Sequence, residues 1–239
     1  MDTQSNRGLT IIGGAIFLGL VAFGFLLSNA AITFKEYERT VTEKGLSEQE
    51  HLADVVIWPI QFSEASNRLE NIYTSLESSA QKVHTFLTEN GFKEDEISIS
   101  APLVTDKSAQ RYGGSNDSEF RYVATQTVTV YSEKVEEVRL VMTQLADLGK
   151  QGITLSGDEY QNRTEYLFNS LNEIKPQMIE DATKEARAVA EKFAEDSNSE
   201  LGKVKTAYQG QFSISPQDNN NPHIKNIRVV STVVYYLSN

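Results

Sequence analysis

The sequence predicts an α+β fold: antiparallel sheet with helices on one face, a ferredoxin-like β-α-β-β-α-β core extended by a second helix–strand–strand unit, and one N-terminal transmembrane helix. Three observations lead there. Residues 9–27 are apolar apart from Thr10, and no charged residue occurs between Arg7 and Lys35. Beyond them, stretches with apolar residues at every second position alternate with stretches at three- and four-residue steps, in the order strand, helix, strand, strand, helix, strand. Finally, helix, strand, polar loop, strand occurs twice, at 66–131 and again at 178–237, a structural pseudo-repeat.

The N-terminal segment comes first. Nineteen helical residues reach about 28 Å, close to a hydrocarbon core of about 30 Å. A soluble helix has no need of an apolar surface all round. The alternative is a cleaved signal peptide, since Ser28-Asn29-Ala30 places small residues before a cut at Ala31. The apolar run is longer than the roughly 7–15 residues of such signals, so retention is the expectation. Residues 1–34 are therefore read as a membrane anchor and 38–239 as one exported domain. Arg7 and the amino terminus mark the short side as cytoplasmic, against Lys35 and Arg39 just past the span. The expected place is the inner membrane, single-pass, with the C-terminal domain in the periplasm. Cleavage near Ala30 would instead leave a soluble periplasmic protein.

Residues 38–45 (ERTVTEKG) read as a short strand ending at Gly45. In HLADVVIWPIQF, 51–62, Val56, Trp58, Ile60 and Phe62 share one strand face, and Val55 and Ile57 make the other face apolar. Pro59 interrupts this strand without an N–H to give a ladder. The first strand of a ferredoxin-like sheet is central. Pro59 therefore lies beyond the paired stretch, marks a bulge, or sits where the strand's far side is an edge. The first two suit a monomer. On the third, Trp58 and Pro59 would meet another subunit, as aromatic residues are favoured at interfaces.

From 66 to 91, Leu69, Ile72, Tyr73, Leu76, Ala80, Val83 and Leu87 line one helix face, with Ser66 or Asn67 as cap and Gly91 as left-handed stop. EISISAPLV (96–104) alternates as a half-buried strand, DKSAQRYGGSNDS (106–118) is an exposed loop, and EFRYVATQTVTVY (119–131) is the next strand. Ser132 caps a helix carrying Val135, Val138, Met142 and Leu145 that closes at Gly149, and GITLSGDEY adds a short strand. A helical stretch from about Thr164 to Ser197 is interrupted at Pro176, with Ile179, Ala182, Ala186, Val189 and Phe193 as its packing stripe. Strand 201–214, the loop SPQDNNNPH and strand 224–237 complete the chain.

Composition removes several functions. A net charge of −11 with no basic stripe argues against a nucleic-acid partner. Without cysteine there is no disulfide, thiolate nucleophile or Cys-based metal site. His51, His84 and His223 lack the three- or four-residue spacing of helical ligand pairs. No G-x-S-x-G elbow occurs, and RYGGSND lacks the GK[ST] ending of a phosphate loop. The acidic runs Glu94-Asp95-Glu96 and Asp158-Glu159 read as solvated turns. Tyr112, Phe120 and Tyr122, near the longer loop, either pack across the sheet or form an exposed aromatic patch. No catalytic, cofactor-binding or metal-ligating residue is assigned; the candidate interface residues are Trp58, Pro59, Tyr112, Phe120 and Tyr122.

Several stretches, in order, resemble the SIMPL-domain family of bacterial envelope proteins, which includes periplasmic immunogenic proteins. They are ADVVIWPIQF, with an Asp before an alternating strand, LTENGFKEDEISIS, YVATQTVTVYSEKVEEVRLVMTQLADLG, and IEDATKEARAVAEKFAEDSNSELGKVKTAYQG, together covering roughly 38–237. The resemblance implies an α+β fold, a periplasmic or cell-surface setting, homo-oligomers in some members and an association with oxidative-stress resistance. It implies no catalytic residues, and the membrane span departs from members with a simple signal peptide. The function expected is that of a tethered, non-enzymatic, self-associating envelope protein, with the membrane (through 9–27) and its own copies as partners. The rivals are an exported hydrolase-type enzyme whose site assembles from scattered acidic and hydroxyl residues, and a small-ligand or stress sensor with the two polar loops as a lid.

Overall fold

The structure, a computed structural model, describes residues 3–36, 39–109, 119–156 and 162–238. Helix α1 (Thr3–Glu36) is followed by strands β1 (Thr40–Leu52) and β2 (Val55–Ser66), helix α2 (Leu69–Glu89), and strands β3 (Ile97–Ile99), β4 (Leu103–Asp106) and β5 (Tyr122–Ser132). Helices α3 (Val135–Met142) and α4 (Ala146–Lys150) precede short strands β6 (Thr154–Leu155) and β7 (Glu165–Leu167). Helix α5 (Leu171–Asp196) and strands β8 (Glu200–Gln209), β9 (Ser213–Pro216) and β10 (Ile224–Ser238) follow. The fold is α+β with antiparallel sheet, as expected. Within α1, Gly13–Ala30 is long and apolar enough to cross a membrane, as an anchor or a signal peptide would be.

The domain expected over 38–239 contains two compact units, each assembled from segments distant in sequence. One comprises Met1–Glu48, Lys175–Ser213 and Arg228–Asn239; the other comprises Gln49–Ile174 and Ile214–Ile227.

In the second unit the strand order is β3-β5-β2-β6, with β4 also on β5 and β7 also on β2. The first strand of the expected core, β2, is therefore internal. Val56, Trp58, Ile60 and Phe62 of β2 and Ala124, Val128 and Val130 of β5 form one core with Ile72, Leu76, Val83 and Leu87 of α2 and Val135, Val138 and Val141 of α3. Period two from the strands meets the three-to-four step of the helices, and each large side chain so buried contributes about 1.5–3 kcal/mol.

Pro59 stands inside this ladder, not beyond it. Register with β5 runs unbroken from Val56↔Ser132 to Ser66↔Tyr122, so neither a strand end nor a bulge accounts for the proline. On the other side, β7 pairs with Val55–Ile57 and β6 with Phe62–Ser63, and among the described residues no strand pairs with residues 58–60. The Gln61 carbonyl faces that side, accepting the Ser156 N–H at 2.9 Å. Backbone polarity repeats every two residues, so the missing N–H of Pro59 falls in the gap between two short strands.

Local differences have local causes. The expected strand 96–104 is two strands, both on β5: Ile99 pairs with Val128 and Leu103 with Thr125, four residues against three, so Ser100–Pro102 carries one extra residue. Ser66 and Asn67 do not cap α2. Ser66 Oγ accepts the Arg68 N–H, whereas Asn67 binds Glu119 and Arg121 across to the start of β5. Gly91, at φ +88°, is the expected stop. The helix expected from Ser132 to Gly149 breaks after Met142; Gly149 lies inside α4, and the left-handed glycine is Gly152, at φ +86°. Residues 165–167, expected as helix, are strand β7.

In the other sheet β10 lies between β1 and β8, with β9 also beside β10. The single strand expected at 201–214 is thus two pieces along one partner. Helix α5 runs through Pro176 without a break, losing only the one N–H the proline lacks. Its buried stripe is Met178, Ala182, Ala186, Ala190 and Ala194, while Val189 and Phe193, expected in that stripe, are exposed. Gly45, expected to end a strand, lies within β1. A Cβ there would run into the Ala182 carbonyl and stand 2.5 Å from the Ala186 nitrogen. The glycine serves close approach of strand to helix, not a turn.

Each sheet repeats one order. An early strand, then a later strand, then two short strands from between them in sequence: β2-β5-(β3, β4) and β1-β10-(β8, β9). The pseudo-repeat read from the sequence has this structural counterpart.

Candidate functional site

A cleft of about 460 Å³ opens in the second unit. One wall is the run Arg163–Leu167, which includes β7. The other is formed by Pro216, Asp218, Asn219, Pro222 and Lys225, from the connection into β10.

Both walls hang on the junction between β1 and β2. The Ala53 N–H donates to the His223 carbonyl and the Asp54 N–H to the Leu167 carbonyl, each at 2.8 Å. The Asp54 carboxylate then accepts the N–H groups of Asn169 (2.5 Å) and Ser170 (2.8 Å), just before α5 begins. These are donors a helix start would otherwise leave unsatisfied. The far wall is held by its own turn. Asp218 accepts the backbone N–H groups of Asn220 and Asn221 and the Asn221 side-chain amide, which hold its carboxyl below the usual range. The Gln217 side chain donates to Glu50 at 2.9 Å.

Two lining side chains, Tyr166 and Lys225, and the buried His223 behind Tyr166 set the chemistry here. The rings of Tyr166 and His223 meet edge-on, centroids 6.0 Å apart. Burial raises the Tyr166 phenol and lowers the His223 imidazole, so both are neutral at pH 7. Lys225 is only 8% exposed and lies in the inward row of β10 with Ile227, Val229, Val233 and Tyr235. Among the described residues its ammonium makes no hydrogen bond or ion pair, and burial lowers its pKa.

The residues singled out from the sequence lie elsewhere. Trp58, 3% exposed, is a core residue, so its side chain offers no surface to a partner. Pro59 faces the gap described above. Tyr122 pairs with Ser66, seven residues or about 23 Å along β2 from Pro59. Its ring packs against the core and under the Arg121 guanidinium at 4.9 Å, while Phe120 is 39% exposed. Tyr112 lies outside the described residues, as do Gly113-Gly114-Ser115 and Asp158-Glu159. The histidines stay apart: His51 binds Gln49 and stacks near Phe168, His84 binds Glu94, and His223 faces Tyr166. Among the described residues no group of three acidic or histidine side chains could hold a metal ion.

The sequence model of SIMPL, described as a protein of unknown function (DUF541), matches residues 41–232. The chain belongs to the SIMPL family. No curated protein matches it. The SIMPL match takes in parts of both units and both walls of the cleft and leaves α1 outside. The Asp of ADVVIWPIQF, Asp54, is the residue that holds the β7 wall. Lys225 escaped the sequence reading although its signal is there: in 224–237 the apolar row Ile227, Val229, Val233, Tyr235 extends back at period two to a lysine.

Proposed function

We propose that this SIMPL protein is held at the cytoplasmic membrane by α1, with its two sheets on the periplasmic side. There it acts without catalysis, by self-association and contact with other envelope components, in resistance to stress. The observation that carries the reading is α1, an apolar helix long enough to span, placed before and outside the SIMPL match. The absence from the sequence of a nucleophile elbow, phosphate loop or helical histidine pair supports an interaction role.

Fractionation of cells making the full chain tests the tether: it should stay with membranes after an alkaline wash and be cut by protease only once the outer membrane is opened. Light scattering of the full chain in detergent, over a dilution series, should give a fixed multiple of the chain mass. A soluble product beginning at Ala31 would remove the tether, and a monomer at every concentration would remove self-association.

A further inference from the structure

We propose that the cleft between the Arg163–Leu167 wall and the Pro216–Lys225 wall binds a small organic oxyanion, a carboxylate or phosphate ester, with the Lys225 ammonium as its charge partner. This assignment stands apart from tethering and self-association.

A charged side chain largely covered by protein and without a partner is disfavoured, and such groups are commonly found paired or in service; the Lys225 stem is buried while its ammonium still reaches the open cleft. Lys225 has no partner among the described residues, and the other core residues of its row are mainly apolar. The acids that line the cleft do not answer it. Asp218 is already committed to Asn220 and Asn221, and Glu165, on the exposed side of the other wall, forms no ion pair with it. Arg163 adds a second cation on the facing wall, with the planar fork suited to oxyanions.

The cleft is larger than an inorganic ion needs and falls in the range typical of small-molecule sites. Tyr166, Leu167, Pro216 and Pro222 give it apolar lining, which suits a ligand with an organic body and one anionic head. Both walls are fixed beforehand by Ala53 and Asp54, so little ordering remains to oppose binding.

The test uses the full chain in neutral detergent, with phenyl phosphate as the free-ligand probe and short-chain phosphatidylglycerol as the lipid probe. Thermal unfolding and calorimetric titration are compared with chloride at matched ionic strength. Wild type should be stabilised in a saturable way by at least one probe, and the tighter of the two shows whether the anion comes from solution or from a lipid headgroup. Lys225→Met should unfold at a higher temperature than wild type without probe, yet lose the response. Arg163→Gln, at an exposed position, should fold normally and bind roughly ten-fold more weakly. No response beyond chloride in wild type, or an equal response in Lys225→Met, would overturn the assignment.

Discussion

Replacing Gly45 by alanine tests the packing of β1 on α5 with a single methyl group. The added Cβ would overlap the Ala182 carbonyl oxygen and stand 2.5 Å from the Ala186 nitrogen and 2.9 Å from the Ala182 carbonyl carbon. All of these are helix backbone, which cannot rotate aside as a side chain would. The helix must therefore retreat, and Ala186 and Ala190, both fully buried against Val41, Val233 and Tyr235, lose contact with it. Overpacking of a tight core costs about 1–3 kcal/mol, and rigid backbone on the receiving side places this case at the upper end, about 3 kcal/mol. At 2–4 °C per kcal/mol for a chain of this size, the melting temperature should fall by roughly 6–12 °C. Circular dichroism of the full chain in detergent measures it, and hydrogen exchange should show the loss centred on α5. Gly149→Ala is the control, because a Cβ there meets nothing within 4 Å and lies in a helix, where alanine gains about 0.5–1 kcal/mol. A Gly45→Ala protein melting within about 1 °C of wild type would refute the close-approach argument.

Asp54→Ala should cost about 1–2 kcal/mol by releasing the Asn169 and Ser170 N–H groups, with Asp54→Asn recovering part of it; thermal unfolding reads the difference. His223, lowered chiefly by burial and also by Arg139, takes up its proton more readily unfolded than folded. Stability should thus fall as pH drops below about 6.5, the ordinary histidine value, and His223→Gln should remove that component of the slope in denaturant titrations. Asp106, held below its usual range by Arg121 and Ser108, contributes stability that is complete above about 3.8 and is lost as pH falls further. Asp106→Asn should flatten that acid limb.

The parts of the fold that were legible are those where one periodicity governs many residues. The apolar segment inside α1, α2 with its glycine stop, β5 and β10 all stand where the patterns put them. What was misread turns on tertiary partners. Gly45 looks like a strand end because glycine is a local punctuation mark, and only the approach of α5 reveals its other use. The stripe of α5 was placed partly on Val189 and Phe193 because larger apolar residues attract the assignment, yet alanines permit the closer packing. Strand β7 hides in a helical-looking run because three residues carry no period, and its evidence is the β2 edge it covers. Of the candidate site, the loop at 215–223 and Asp54 were visible as polar loop and family-like aspartate. Their convergence on one cleft depends on hydrogen bonds between residues more than a hundred positions apart.

Three residues break the pattern of the strand that contains them: Gly45 in β1, Pro59 in β2 and Lys225 in β10. Sequences that fold well are consistent across levels, and local conflicts concentrate where packing or function demands them. Gly45 is answered by packing, since no larger residue fits beneath α5. Pro59 is answered by hydrogen bonding, since its missing donor falls where no described strand accepts. Lys225 is answered by neither: nothing described pairs with its ammonium, and an apolar side chain would suit its row better. An ammonium held on a buried stem at the cleft, with no partner in the fold, is placed to meet something that enters there.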